Sequence, residues 1–313
     1  MTTVVVGLDE SAAFLRDRFG PDVADVEPIG LGEWSRAYAF RHGDADLVAR
    51  FGQHVEDFEK DRLAATYATE NLPVPQIIEV GRALGGWYAV SERAYGGFLD
   101  DLSGDEMRVA LPSLLAMLDA TRDTDVSTTT GFGLWDAEGR GARPSWRAFL
   151  LDVGVDWDGA RIAGWRRRLE ASSVGIGPFE ETAACLARLV DHCPEERHLI
   201  HSDLLHYNVL VAGDRVSAVV DWGCGLYGDY LYDVAWLAFW AQWNPAWHGI
   251  DVARAAAAHY RRIGLDVPAF DERMLAYRIH IGLDGIRYNA FMGRWDEVAD
   301  VTERTLALAR AGS

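Results

Sequence analysis

Three side chains carry oxygen where phosphate chemistry needs it. Asp203 and Asn208 lie in His201-Ser202-Asp203-Leu204-Leu205-His206-Tyr207-Asn208, and Asp221 opens Asp221-Trp222-Gly223 thirteen residues after Asn208. Phosphoryl transfer asks little covalent chemistry of a protein. It asks for an acid that orients and deprotonates a hydroxyl, and for oxygen ligands to the magnesium that accompanies a nucleoside triphosphate. His198-Leu199-Ile200 before the first motif, Val209-Leu210-Val211 after it and Val216-Ser217-Ala218-Val219-Val220 before Asp221 are short, β-branched, apolar runs. Such runs predict buried strands, whose ends bring the three groups to one point. A zinc site built from His201, Asp203 and His206 is the competing chemistry, but it lacks both a second ligand cluster and a helical i,i+4 histidine pair.

The upstream elements are read as a phosphate-binding frame. An amphipathic helix over 11–19 stops at Gly20-Pro21. The chain then reads strand, glycine-bearing loop, strand, turn, strand. The loop is Gly30-Leu31-Gly32-Glu33-Trp34-Ser35, the turn is His42-Gly43-Asp44, and the third strand ends at Arg50. Gly30, Gly32 and Ser35 have the spacing of a loop that covers phosphates, and a guanidinium at Arg50 can grip phosphate oxygens bidentately. A helix over 55–67 carries several acids. One of them should pair with Arg50, with Asp61 the first choice and Glu59 the second.

Leu72-Pro73-Val74-Pro75 breaks that helix, and strands are expected over 76–80 and 87–92. The glycine-rich connector Arg93-Ala94-Tyr95-Gly96-Gly97 sets a boundary between an N-terminal lobe, 1–92, and a C-terminal lobe, 93–313. The second part reads as mainly helical. In its first long helix, 104–123, Pro112 is expected to cause a kink or restart. Residues 124–146 read as a loop or cover segment.

Composition narrows the class. The chain has 313 residues, 49% of them hydrophobic, with 12 Trp, 12 Phe and 11 Tyr, enough for one large or two medium domains. No run approaches the roughly 18 apolar residues of a membrane helix, and the N-terminus turns acidic at Asp9-Glu10 without a basic leader, so no secretory signal is expected. Cys185, Cys193 and Cys224 form neither an even framework nor a C-x-x-C pair. A reduced, cytoplasmic protein is the expectation. A net charge of −18 argues against nucleic acid as partner; it suits a cationic small molecule and equally suits solubility alone.

Taken in order, these motifs resemble the aminoglycoside phosphotransferase family, particularly its branch acting on hygromycin-type aminocyclitols. The likeness runs through Gly30-x-Gly32-x-x-Ser35-Arg36-Ala37, Leu47-Val48-Ala49-Arg50, Lys60-Asp61-Arg62, Leu72-Pro73-Val74-Pro75, Ser91-Glu92-Arg93-Ala94 and the two catalytic motifs. It continues to Arg278-Ile279-x-Ile281-Gly282-Leu283-Asp284. The resemblance implies an α+β, protein-kinase-like fold of two lobes, with a small antiparallel sheet and one helix in the first and mostly helices in the second. It implies ATP (GTP remaining open) and Mg2+, with Asp203 as catalytic base and Asn208 and Asp221 as metal ligands. Gly30, Gly32, Ser35, Arg50, Asp61, Glu92 and Ala94 would surround the nucleotide, and Asp229 and Asp284 are the candidate acceptor contacts. Helix capping is an equal alternative for Asp229. Asp233 is expected to brace the catalytic loop. Other acceptors, a macrolide, an amino alcohol or a sugar, would use the same machinery, and a non-catalytic nucleotide-binding protein is the reading from another class. The chain departs from the family's usual small residues at Ser202, His206 and Tyr207, and has Gly223 where many members carry an acid.

Overall fold

The computed structural model describes residues 6–312, so the first five residues of the expected N-terminal lobe lie outside the described residues. Helix α1 (Leu8–Phe19) packs on a five-stranded antiparallel sheet made of β1 (Val23–Leu31), β2 (Ser35–His42), β3 (Ala45–Gly52), β4 (Ile77–Ala83) and β5 (Gly86–Glu92). The strand order is β1-β2-β3-β5-β4. Alternation sets its core: Tyr38, Phe40, Leu47, Ala49, Phe51, Tyr88 and Val90 point inward against Leu15. Helix α2 (Val55–Ala65) crosses between β3 and β4.

The remainder is built on helices α3 (Gly104–Asp123), α4 (Trp146–Leu151), α5 (Trp165–Glu170), α6 (Gly177–Leu189), α7 (Leu231–Trp240), α8 (Val252–Ile263), α9 (Phe270–Met292) and α10 (Trp295–Ala311). Short strands β6 (Gly97–Phe98), β10 (Val209–Ala212) and β11 (Arg215–Val219) form one small sheet. Strands β7 (Phe132–Trp135), β8 (Gly141–Arg143), β9 (His198–Ile200) and β12 (Leu226–Gly228) form another. The architecture is thus α+β and two-lobed.

Three local expectations change. Helix α3 runs through Pro112 as a single helix. Its capping box, in which Ser103 and Glu106 each serve the other's backbone N–H, fixes the start. Buried Met107, Ala110, Leu114 and Leu118 then hold both sides of the proline, and packing outweighs the one hydrogen bond lost. The 124–146 segment contains β7 and β8, too short to show a period of two. The division at residue 92 marks the end of the sheet, but the hydrophobic core divides elsewhere. Ala64, Ala65, Leu72 and Val74 belong to the large helical core, and Val219 N–H donates to Pro73 O at 2.8 Å. The end of α2 is therefore rooted in the second lobe.

Candidate active site

The β10–β11 hairpin does most of the positioning. Val220 N–H donates to Asn208 O at 2.9 Å, which sets Asn208 across from the residue preceding Asp221. Asn208 Nδ2 donates to the Asp203 backbone oxygen at 2.8 Å and to Asp203 Oδ2 at 3.1 Å. With its nitrogen so engaged, the amide has Oδ1 as its acceptor atom. His206 Nδ1 lies 2.7 Å from Asp203 Oδ1, so both carboxylate oxygens of Asp203 are oriented by neighbours. Burial alone would lower the His206 pKa, but the hydrogen bond and the charge of Asp203 outweigh it and raise it.

The catalytic loop departs from ordinary backbone at three non-glycine positions. Ser202, His206 and Tyr207 all have left-handed φ, +60°, +64° and +69°, each costing about 1–2 kcal/mol. Two carboxylates hold this shape. Asp233 accepts from His201 N–H and Ser202 N–H, both at 2.8 Å, at one end of the loop. Asp100 accepts from His206 N–H at 2.8 Å and Tyr207 N–H at 3.0 Å at the other. The departure of Ser202, His206 and Tyr207 from small residues is thus accommodated by outside acceptors. The buried His201 ring accepts from Asp203 N–H through Nδ1, bonds Val220 O through Nε2, and packs on Trp222. Its contacts are those of a brace. With both ring nitrogens so engaged, His201 has none left for a zinc ion.

Arg50, on β3, reaches Asp61 at 2.5 Å and Asp221 at 3.2 Å. Glu59, the second choice of partner, pairs with Arg62 instead. Burial pushes the Asp221 carboxyl upward, but the Arg50 guanidinium prevails and holds it below the usual carboxylate range. Asp221 therefore presents an ionised carboxylate at the cavity. It also sits at φ +61°, ψ +65°. Helix α2 grips the turn that follows: Asp61 Oδ1 accepts Trp222 N–H at 2.8 Å, and Lys60 Nζ donates to Gly223 O at 2.5 Å.

A cavity of about 480 Å3 between sheet and helical lobe is lined by Gly30, Gly32, Ser35, Arg50, Asp61, Glu92, Ala94, Asn208 and Asp221. Ile29, Val48, Ala89 and Leu210 give it apolar walls. Every residue expected around the nucleotide is in this lining. A second cavity of about 280 Å3 opens on the far side of His206, lined by Asp100, Leu205, Trp240, Trp243, Asn244, Pro245 and Trp247.

The two expected acceptor contacts separate. Asp229 is fully buried. It is bound by Arg273 at 2.6 and 2.8 Å and by the Tyr277 hydroxyl, and it caps α7 through Leu231 N–H at 3.1 Å. A substrate contact at Asp229 is therefore withdrawn, since its oxygens are spent inside the lobe. Asp284 has a half-exposed carboxylate, 3.5 Å from Arg287 and close enough to Cys224 and Tyr232 to act on their charge balance. It stays a candidate. Asp100 and Lys60 were missed as site supports. Nothing in Lys60-Asp61-Arg62 or Leu99-Asp100-Asp101 marks Lys60 or Asp100 as the holder of a distant turn.

A profile described as the phosphotransferase enzyme family matches residues 25–271. The chain belongs to that family. Hygromycin-B 4-O-kinase of Escherichia coli is 29% identical over 309 residues, covering 96% of this chain and 84% of the relative. The crystal structure of a thermostable mutant of aminoglycoside phosphotransferase APH(4)-Ia, in ternary complex with AMP-PNP and hygromycin B, is 30% identical. It superposes with a TM-score of 0.84 over 96% of this chain and 98% of that one. The GDP complex of aminoglycoside 2'-phosphotransferase-IIIa, at 14% identity and a TM-score of 0.68, shares the fold. Within this phosphotransferase, no helix among the described residues is long and apolar enough to cross a membrane.

Proposed function

We propose that the protein transfers the terminal phosphoryl group of ATP to a hydroxyl of a hygromycin-B-like aminocyclitol, with Mg2+ as cofactor. The observation that carries the reading is that Asn208, Asp221 and Arg50 line one cavity, with Arg50 paired to Asp221 and Asp203 hydrogen-bonded to Asn208. The likeness to hygromycin-B 4-O-kinase over nearly the whole chain supports the acceptor class.

Asn208 Oδ1 and the ionised Asp221 carboxylate are hard oxygen donors, and two protein oxygens suit an ion that keeps water and phosphate as its other ligands. When bound there, magnesium neutralises the charge of the triphosphate oxygens. Asp203, held through His206 and Asn208, aligns the acceptor hydroxyl and takes its proton as the oxygen–phosphorus bond forms. Arg50 anchors phosphate oxygens while the glycine loop covers them. Glu92 and Ala94, at the end of β5 and just past it, meet the nucleobase with backbone groups. The acceptor then approaches from the helical lobe, between Asp284 and the tryptophan-lined cavity beside His206. Its ammonium groups suit those surroundings in a protein of net charge −18. A chain with no paired cysteines among its described residues, drawing on ATP, fits a cytoplasmic setting.

The test is ADP release coupled to a panel of hygromycin B, other aminoglycosides, a macrolide and simple amino alcohols, with Asp203→Asn alongside. The expected result is turnover on the aminocyclitol, reduced by about 10²–10⁴ in Asp203→Asn, with nucleotide affinity preserved. Turnover on another hydroxyl class alone overturns the acceptor. Full activity in Asp203→Asn overturns the base.

A further inference from the structure

The tip of the glycine-bearing loop does not hang free over the cavity. Glu33 accepts from the Tyr288 hydroxyl with one carboxylate oxygen and from Arg294 with the other. Tyr288 lies on α9 and Arg294 just before α10, so both partners come from the helical lobe, more than 250 residues along the chain. The adjacent Trp34 is held as well: the Arg161 guanidinium lies 5.3 Å from its ring centroid. Arg161 in turn binds Asp57 of α2 through two hydrogen bonds of 3.0 and 3.1 Å. The helical lobe thus reaches the loop tip at two adjacent residues, with cations on both.

Where this clasp sits gives it a role. Tyr288 follows Asp284 by four residues on α9, so the two project from one face of that helix. Gly30, Gly32 and Ser35 of the same loop line the nucleotide cavity, so the clasp ties the cover of that cavity to the helical lobe. A loop covering phosphates works by fixed geometry and by excluding water, because water competes with the acceptor for the terminal phosphate.

We propose that Glu33 is a positioning residue: through Tyr288 and Arg294 it fastens the phosphate-covering loop to the helical lobe, closing the cleft to water during transfer. Glu33 touches no reacting atom in this scheme. The inference rests on the reading of this cleft as a phosphotransferase site, without depending on the identity of the acceptor.

The test uses the full chain with Glu33→Gln, Arg294→Met and the exchanged pair Glu33→Arg/Arg294→Glu. Two quantities are read: amide hydrogen exchange of residues 30–36 with AMP-PNP bound, and the ratio of ADP released without acceptor to phosphoryl transferred with it. Each single variant should exchange the loop amides about five- to tenfold faster and raise the wasted-ADP ratio by a similar factor. Global Tm should stay within a few degrees, and the exchanged pair should recover part of both effects. Unchanged loop exchange in both single variants overturns the clasp. Faster exchange with an unchanged wasted-ADP ratio overturns its role in excluding water. If no acceptor on the panel is phosphorylated by the wild type, the functional reading fails, yet loop exchange and acceptor-free ADP release still decide the clasp.

Discussion

Replacing Arg50 by Met separates two things that one guanidinium does. Arg50 stands between Asp61, whose side chain is only 6% exposed, and the half-exposed Asp221. Taking the cation away leaves Asp61 buried with the Trp222 amide as its remaining donor. Breaking a buried pair by deleting one partner costs about 3–5 kcal/mol. Unfolding entropy of roughly 2.1 cal/mol/K per residue gives a chain of 313 residues roughly 0.66 kcal/mol/K, so about 4 kcal/mol lowers Tm by about 6 °C. The same variant loses its charge-assisted bonds to phosphate, worth about 1.5–3 kcal/mol, or roughly 10- to 100-fold in nucleotide Kd. The double variant Arg50→Met/Asp61→Asn keeps an oxygen for Trp222 N–H while removing the stranded charge. It should recover most of the lost Tm and none of the lost affinity. Calorimetric titration with Mg-AMP-PNP and thermal melts read the two effects separately. A Kd within twofold of wild type in Arg50→Met refutes the phosphate grip. A double variant as unstable as the single one refutes the stranded-carboxylate account.

Two further predictions follow from buried groups. Asp229→Ala should lower stability by about 3–5 kcal/mol by orphaning Arg273, with acceptor KM unchanged at temperatures where the protein is folded. An altered acceptor KM with unchanged Tm would return Asp229 to the substrate site. His280, buried against the Tyr232 hydroxyl at 2.9 Å, has its pKa pushed down to about 3 by burial and by Arg287. Between about pH 6.5 and 3 the unfolded chain holds one more proton there than the folded one, so stability falls as pH falls, by about 1.4 kcal/mol per unit from this group. Denaturant melts of wild type and His280→Gln from pH 7 to 5 should differ in slope by about one proton; parallel slopes would show that His280 is not buried neutral.

Much of the site could be read from the chain because its chemistry is local in sequence. Asp203 and Asn208 share one loop, Asp221 ends the strand paired with the next, and such short, apolar strands flanking polar turns are recognisable. The Arg50–Asp61 pairing follows the kinase pattern, in which the third-strand cation pairs with a helix acid. Asp229 and Asp284 show where that kind of reading stops. Both are acids, but Arg273 and Tyr277, more than forty residues away, draw Asp229 into the core. Asp284 stays half-exposed beside Arg287. No periodicity distinguishes them. Asp100 escaped for the same reason: its role comes from backbone N–H groups over a hundred residues distant, and a backbone donor leaves no mark in residue types.

That distant anchor has a consequence for how the enzyme can change. Asp100 grips main-chain amides at positions 206 and 207, so it is indifferent to which side chains those positions bear. The Tyr207 ring is exposed and packs on Phe98 beside the nucleotide cavity, while the His206 imidazole borders the tryptophan-lined one. The side chain at 207 can therefore be rewritten while the loop keeps its course, whereas the His206 imidazole is tied to the Asp203 carboxylate. At position 207, the atoms that shape the cleft wall and the atoms that hold the loop are different ones.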